Sequence, residues 1–237
     1  AIDLGISGDI PGVPAIALGA VEASLEDMVK VYGTFANRGL RPEISYIKRI
    51  ETKDGKVLAD YESQIDTSEW KRILSVDEAD MITSMLRAAI DRGTGRRLRF
   101  RYEFDNELAG KTGTSQNHSD GWFMGFNSNL VAGVWVGAES PAVRFRNLSL
   151  GQGANTALPV FALFLDQLNK DKKMKALAYA GFEEPSIEVK SALNCANIVW
   201  PEQANAEGTE EGTSPTGDVA ALNSGTTPTE GAELGNE

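Results

Sequence analysis

The stretch AGKTGTSQNHSDGWFMGF, residues 109–126, joins two segments that are typical of neighbouring antiparallel strands. The first segment carries Lys111, Thr112, Gly113 and Thr114 in a row, and a polar turn separates it from the aromatic run GWFMGF. Side chains alternate along a strand, so Thr112 and Thr114 share one face while Lys111 lies on the other. The stretch therefore predicts a hairpin with two hydroxyls on one face and an ammonium group on the opposite face.

These four residues are suited to binding a small anion. The hydroxyls of Thr112 and Thr114 can jointly bind a carboxylate, and Lys111 adds an attractive charge. Gly113 removes a side chain where another backbone must come close. Free N–H groups on an edge strand can also donate to a developing oxyanion. The alternative from the tetrapeptide alone is an ordinary solvated strand, because short motifs also occur by chance.

Hydrophobic periodicity, capping residues and turn residues predict an α+β fold with an antiparallel sheet flanked by helices. The predicted elements are helices at 24–37, 76–92 and 156–170, a hairpin turning at Asp54-Gly55, and strands at 107–115, 121–126 and 130–137. Residues 1–23 are predicted to be loop, and residues 62–74 are ambiguous. The segment 171–201 is predicted to hold a short helix and a strand at 186–190.

Composition limits the possible partners. The net charge of −11 argues against binding to nucleic acid or to an anionic membrane surface. Eight acidic residues and no basic ones fall at positions 202–237, so the rest of the chain, with 23 basic and 26 acidic residues, is near −3. This low-hydrophobicity tail is predicted to be disordered. No run of 18 apolar residues predicts a membrane span.

No zinc site is predicted, because the chain has one cysteine, Cys195, and one histidine, His118. Cys195 is expected to be an unpaired, partly buried thiol, with pairing to a cysteine outside the chain as the alternative. His118 could act as a general base beside Asp120, but its place in a polar turn favours an exposed loop histidine.

Two other clusters have competing interpretations. The aromatic residues Trp122, Phe123 and Phe126 are expected in the core, with Trp122 the best candidate to line a substrate groove instead. The basic run Arg96, Arg97, Arg99 and Arg101 is expected in a solvated loop, with a rim that attracts acidic peptidoglycan or lipid head groups as the alternative.

The wider context resembles the transpeptidase domain of class A penicillin-binding proteins, the bifunctional peptidoglycan synthases. The segments LGAVEASLEDMVKVYGTFANRG, ISYIKRIETKDGKVL, MLRAAIDRGTG, AGKTGTSQNHSDGWFMGF and LVAGVWVG follow one another in the order of that family. Lys-Thr-Gly is one of the motifs that this family shares with β-lactamases. The resemblance covers residues 1 to about 170.

The resemblance implies a D,D-transpeptidase whose serine attacks the D-Ala-D-Ala carbonyl of a peptidoglycan stem peptide. It assigns Lys111 an electrostatic and proton-network role, and Thr112 and Thr114 the binding of the substrate carboxylate. The backbone N–H of Thr114 becomes one of two oxyanion donors. The turn Gly93-Thr94-Gly95 matches a family turn to which we assign a mainly structural role. Partners implied for the complete protein are stem peptides and β-lactams, with no cofactor.

The chain departs from the family because Ser-x-x-Lys, which carries the nucleophile and its lysine, and the Ser-x-Asn that follows it are both expected to precede the chain. Ser45-Tyr-Ile-Lys48 has the first spacing but is predicted on a strand, where positions i and i+3 point to opposite faces. Ser115-Gln-Asn117 has the second spacing but adjoins Thr114, so it cannot form the opposing wall of the cleft. The chain alone is expected to be inactive.

The expected organisation is a C-terminal portion of the transpeptidase domain at 1–170, an extension at 171–201 and the acidic tail at 202–237. Any membrane attachment would come from an N-terminal anchor outside the chain, with the domain on the periplasmic side of the envelope. Two other functions stay open: a β-lactamase or D,D-carboxypeptidase relative, and a non-catalytic envelope module that binds partners.

Overall fold

A computed structural model of the chain describes residues 1–194 except positions 9, 20, 62–66, 68 and 69, and leaves out the side chains at 17 and 18. The predicted acidic tail and Cys195 lie outside the described residues. The described part is α+β, as predicted, with helices around an antiparallel sheet. Among these residues no helix is long and apolar enough to cross a membrane.

The strands of the main sheet lie between two groups of helices along the described chain. The helices are α1 (Leu25–Ala36), α2 (Val76–Asp91), α3 (Arg97–Phe100), α4 (Leu148–Gly151), α5 (Ala157–Lys170), α6 (Lys175–Ala178) and α7 (Ile187–Ala192). The strands are β1 (Arg49–Glu51), β2 (Val57–Asp60), β3 (Ala109–Thr114), β4 (Gly121–Phe126) and β5 (Val131–Val136).

Helices α1 and α2 begin at capping boxes. Ser24 accepts a hydrogen bond from the N–H of Asp27 at 3.0 Å, and the Asp27 carboxylate accepts from the N–H of Ser24. Ser75 and Glu78 repeat this arrangement at α2. Burial favours the neutral form of Asp27, but hydrogen bonds from Ser7 and Ser24 outweigh burial and lower the pKa of Asp27.

The main sheet is a three-stranded antiparallel meander in the order β3-β4-β5. Thr112 lies opposite Phe123, and Thr114 lies opposite Gly121. The turn between β4 and β5 is closed by Asn127, whose side-chain oxygen accepts hydrogen bonds from the N–H groups of Asn129 and Leu130. The sequence predicted this turn, and β4 was predicted with its observed bounds.

Each face of the meander is covered by a different helix. On one face, Phe123 packs against Phe161 of α5 with ring centroids 4.8 Å apart, inside a cluster that includes Ile90 and Leu98. On the other face, Met124 and Phe126 pack with Val31 and Tyr32 of α1. Tyr32 is desolvated there, and burial raises the pKa of its hydroxyl to about 12. The aromatic core predicted for Phe123 and Phe126 is confirmed.

Two local predictions are corrected, and a third is confirmed. Residues 186–190 form the start of α7 and not a strand, because the Ser186 side chain accepts from the N–H of Val189 and caps a helix. The loop predicted at 1–23 contains a short 3₁₀-helix at Pro14–Leu18. The hairpin turning at Asp54-Gly55 is confirmed by the antiparallel pairing of β1 with β2.

Candidate active site

One edge of strand β3 pairs with β4, and among the described residues no strand pairs with its other edge. The N–H of Ser115 donates to the carbonyl oxygen of Asp120 at 3.2 Å, so the backbone of Ser115 faces β4. Backbone groups alternate between the two edges of an antiparallel strand. The N–H and C=O groups of Thr112 and Thr114 therefore point away from β4. This direction fits the predicted role of the Thr114 N–H as an oxyanion donor.

Both threonine side chains lie on the face of the sheet that α5 covers, since Thr112 is the register partner of Phe123. Thr112 Oγ1 donates to Thr94 Oγ1 at 2.7 Å. Thr114 Oγ1 accepts a hydrogen bond from the N–H of Gly153 at 3.1 Å. Each hydroxyl is thus held by a segment outside the hairpin. The predicted sharing of one face by the two threonines is confirmed.

Lys111 is exposed and lies on the opposite face together with Gly113. Its Nζ donates to the carbonyl oxygen of Thr112 at 2.9 Å, which brings the ammonium group to the free edge of β3. A Cβ at Gly113 would be 3.0 Å from the Cβ of Trp122, so the glycine lets the two strands keep their register. The ammonium group and the free N–H groups consequently share one edge.

Trp122 is half-buried and lies on the same face as Lys111. Its ring centroid is 6.4 Å from that of Trp135, which is 40% exposed. The indole N–H of Trp135 donates to the Asp120 carboxylate at 3.2 Å. The two indoles form an aromatic surface next to Gly113. The predicted contact of Trp122 with the substrate stays a prediction.

The turn between β3 and β4 is less exposed than its polar sequence predicted. His118 is half-buried, and its Nδ1 is fully buried without a hydrogen-bond partner in the described structure. Phe145 donates its N–H to the carbonyl oxygen of His118 at 3.1 Å, and Gly151 packs near the His118 Cβ. The prediction of an exposed loop histidine is therefore wrong, because a later segment covers this side chain.

The basic run after α2 is also more structured than a solvated loop. Residues Arg97–Phe100 form α3, and Arg99 forms an ion pair with Asp91 at 2.8 Å. Arg97 is half-buried, donates to the carbonyl oxygen of Ala154 at 2.9 Å and contacts the side chain of Asn155. Arg97 thus holds the loop that supplies the Gly153 N–H to Thr114. The sequence alone did not reveal this role.

A cavity of about 510 Å³ lies between α1, α2 and residues 181–185, away from the threonines. It is lined by the turn after β4, including Ser128 and Asn129. Gly121 and this turn are at opposite ends of β4, about 20 Å apart by the rise of a strand. The cavity is therefore separate from the Lys111–Thr114 site. Groups of three metal-ligating side chains do not occur among the described residues.

The two predicted decoy motifs are not arranged as a nucleophile site. Ser45 and Lys48 lie in irregular chain just before β1, not on a strand as predicted, and the Ser45 hydroxyl donates to the carbonyl oxygen of Ile47. Ser115 bonds the Ser119 hydroxyl at 2.7 Å within the turn that follows Thr114. The sequence contains a further Ser-x-x-Lys spacing, from Ser68 to Lys71, which the sequence analysis did not consider. Lys71 lies outside the helices.

Two solved structures that resemble this chain are penicillin-binding proteins. Penicillin-binding protein 1A from Haemophilus influenzae has a TM-score of 0.63 at 24% identity, over 72% of this chain and 30% of that one. PonA1 from Mycobacterium tuberculosis has a TM-score of 0.59 at 23% identity, over 78% of this chain and 50% of that one. The fold is thus that of a penicillin-binding protein.

Sequence comparison identifies the family. The family model "Penicillin binding protein transpeptidase domain" matches residues 6–141. Penicillin-binding protein 1A of Rickettsia conorii is 33% identical over 190 residues, which are 71% of this chain and 23% of that protein. The Pseudomonas aeruginosa protein of the same name is 30% identical over 215 residues, with 72% and 26% covered. The chain belongs to the penicillin-binding protein transpeptidase family, as its motifs indicated.

The chain spans about a quarter of the length of these curated relatives. The Lys111–Thr114 segment lies inside the residues that the family model matches. The family and the fold predicted from the sequence are confirmed.

Proposed function

We propose that this chain supplies one wall of the acyl-transfer site of a peptidoglycan D,D-transpeptidase. One observation carries the proposal: Lys111, Thr112 and Thr114 lie on one strand, and the backbone N–H groups of both threonines point away from the paired strand β4. Preorganised N–H donors stabilise an oxyanion. Hydroxyl groups and a nearby cation bind a carboxylate. The strand offers all three within four residues.

The proposed reaction uses a serine of the longer protein. Its Oγ forms an ester with the penultimate D-Ala carbonyl of a stem peptide, the peptide bond breaks, and the terminal D-Ala leaves as a protonated amine. An amine of a neighbouring strand then attacks the ester, forms the cross-link and releases the serine. Thr112 and Thr114 hold the carboxylate of the leaving D-Ala. The Thr114 N–H stabilises the oxyanion in both steps.

The family also supports proposals on setting and partners. We place the complete protein in the cell envelope, with the transpeptidase domain on the periplasmic side of the inner membrane. β-Lactams would acylate the same serine, because they present a strained amide and a carboxylate in the geometry of the donor peptide. No cofactor is required for this chemistry.

A fluorescent penicillin tests the proposal. The longer protein and this chain alone are each incubated with the probe and run on a denaturing gel. The longer protein should give a covalent band that unlabelled penicillin competes away, and Lys111→Ala should weaken that band. The chain alone should give none, since acylation needs an activated serine.

Other outcomes separate the alternatives. A longer protein that is never labelled would contradict the proposal, and a competed band on the chain alone would show that the nucleophile is misplaced. Rapid hydrolysis of penicillin would point to a β-lactamase. Release of D-Ala without cross-linking would point to a carboxypeptidase. Each outcome is read from the same protein preparation.

A further inference from the structure

Thr94 lies in a tight turn between α2 and α3. The N–H of Gly95 donates to the carbonyl oxygen of Ala89 at 3.0 Å, which folds the chain back over the end of α2. A Cβ at Gly93 would lie 2.8 Å from that carbonyl oxygen, and one at Gly95 would lie 2.6 Å from the Ile90 side chain. Neither flanking position accepts a side chain without rearrangement, so the backbone that carries Thr94 is firmly placed.

This turn brings the hydroxyl of Thr94 to strand β3. Thr112 Oγ1 donates to Thr94 Oγ1 over 2.7 Å, the usual length of an O–H···O hydrogen bond. Thr94 is exposed, and Thr112 is half-buried. The two residues are 18 positions apart in sequence, so their contact depends on the packing of α2 along β3.

The pair has two protons, and the bond between the oxygens uses one of them. The second proton is left for a ligand. When Thr112 faces a carboxylate, both hydroxyls can rotate so that Thr94 donates to Thr112 and Thr112 donates to the anion. A hydroxyl that accepts a hydrogen bond is a stronger donor, since linked hydrogen bonds polarise one another.

We propose that Thr94 is a positioning residue of the acyl-transfer site, which orients and polarises the Thr112 hydroxyl toward the carboxylate of the acyl donor. The inference rests on the proposed function and adds a residue to it. The sequence analysis assigned Gly93, Thr94 and Gly95 a mainly structural role. The hydrogen bond to Thr112 is what assigns Thr94 a part in substrate recognition.

The test compares a penicillin with its methyl ester, which has no carboxylate, as acylating agents of the longer protein. Thr94→Val should slow acylation by the penicillin about three- to tenfold, the effect of one neutral hydrogen bond. Acylation by the ester should change little relative to the unmodified protein. Thr94→Ser keeps the hydroxyl and should restore the rate with the penicillin.

A double-variant cycle shows whether Thr94 acts through Thr112. In a Thr112→Val background, Thr94→Val should have no further effect on acylation by the penicillin, because no hydroxyl remains to orient. Thr52→Val, in the remote β1–β2 hairpin, is the matched control and should leave both rates unchanged. If Thr94→Val does not fold, Thr94→Ala is measured in the same way.

Each result decides between the two proposals. If the unmodified longer protein is not acylated, the proposed function fails, and the role of Thr94 in it fails as well. If it is acylated and Thr94→Val slows penicillin and ester equally, Thr94 is structural and the inference is overturned. An unchanged rate, additive effects with Thr112→Val, or a Thr94→Ser variant as slow as Thr94→Val would overturn it too.

Discussion

The backbone N–H of Gly153 donates a hydrogen bond to the Thr114 hydroxyl oxygen across 3.1 Å, which ties the loop before α5 to the last residue of β3. Because Thr114 accepts this bond on a lone pair, its own proton stays available to another acceptor. Gly153 therefore holds the hydroxyl in place without consuming its capacity to donate. This relationship connects the stability of the loop with the proposed binding of a carboxylate.

Gly153→Ala should destabilise the protein. The new Cβ would lie 2.3 Å from the carbonyl oxygen of Trp122 and 2.4 Å from that of Gly113, both far inside contact distance. These are backbone atoms of paired strands, so relief requires the loop to move away from β3. We expect a loss of about 2–3 kcal/mol in the free energy of unfolding, as for other overpacked sites. Urea denaturation of the chain measures it.

The matched control for this substitution is Gly12→Ala. A Cβ at Gly12 would meet no atom within 4 Å, so its effect should stay within about 0.5 kcal/mol. Equal urea midpoints for Gly153→Ala and the unmodified chain would show that the loop is not packed against β3 as described.

Arg97→Met should loosen the same loop from its other side. Arg97 is half-buried and donates to the carbonyl oxygen of Ala154, next to Gly153. The substitution keeps the apolar stem but removes the charged donor, and we expect a cost of about 1–2 kcal/mol. Hydrogen exchange at the Gly153 amide should become faster, which NMR can follow for that single residue.

Its neighbour provides the comparison. Arg96 is exposed, and its guanidinium lies 5.7 Å from the Phe100 ring centroid. Arg96→Met should change stability by less than about 0.5 kcal/mol and leave Gly153 exchange unaltered. Similar behaviour of the two variants would mean that Arg97 does not anchor the loop.

Local sequence patterns predicted the bounds of strands and the starts of helices, because neighbouring residues determine these features. β4 was predicted with its observed bounds because Gly121–Phe126 alternates between two buried faces. The capping boxes at Ser24 and Ser75 placed the starts of α1 and α2. The alternating residues 186–190 misled the prediction, because the Ser186 cap favours a helix over the period-two pattern.

The supporting contacts of the candidate site could not be predicted in this way. The Thr112–Thr94 bond spans 18 positions, and the Thr114–Gly153 bond spans 39. Nothing in the sequence near Gly153 specifies which strand it will meet. The burial of His118 likewise depends on Phe145, which comes from a segment beyond β5. Motif residues were therefore identified from sequence, while the residues that hold them required the fold.

Asp27 should make stability depend on pH. Hydrogen bonds from Ser7 and Ser24 lower its pKa in the folded state below the ordinary value of 3.8. The unfolded chain therefore binds the proton more readily, so this contribution is present above about pH 4 and is lost as the pH falls through the folded pKa. Asp27→Asn should cost about 1–2 kcal/mol at pH 7 and progressively less toward pH 3.

Urea midpoints at pH 7, 5 and 3 measure this difference. Glu22→Gln is the control, because Glu22 is an exposed acid just before α1. Its effect should be small at each pH. A difference between Asp27→Asn and the unmodified chain that stays constant from pH 7 to pH 3 would show that the carboxylate charge is not what stabilises the cap.

Thr114→Val should slow acylation of the longer protein by penicillin about ten- to a hundredfold. Its hydroxyl would donate to the substrate carboxylate, and a hydrogen bond to a charged group contributes about 1.5–3 kcal/mol. Valine keeps the shape of the side chain and the backbone N–H, so the oxyanion donor survives and the rate should fall without vanishing.

Thr114→Ser is the control, because it keeps the hydroxyl and its hydrogen bond from Gly153. This variant should be acylated at a rate within about threefold of that of the unmodified protein. Labelled penicillin, sampled over time on a denaturing gel, gives the rates, and thermal unfolding confirms that each variant is folded. A folded Thr114→Val variant with unchanged acylation would remove this hydroxyl from the carboxylate site.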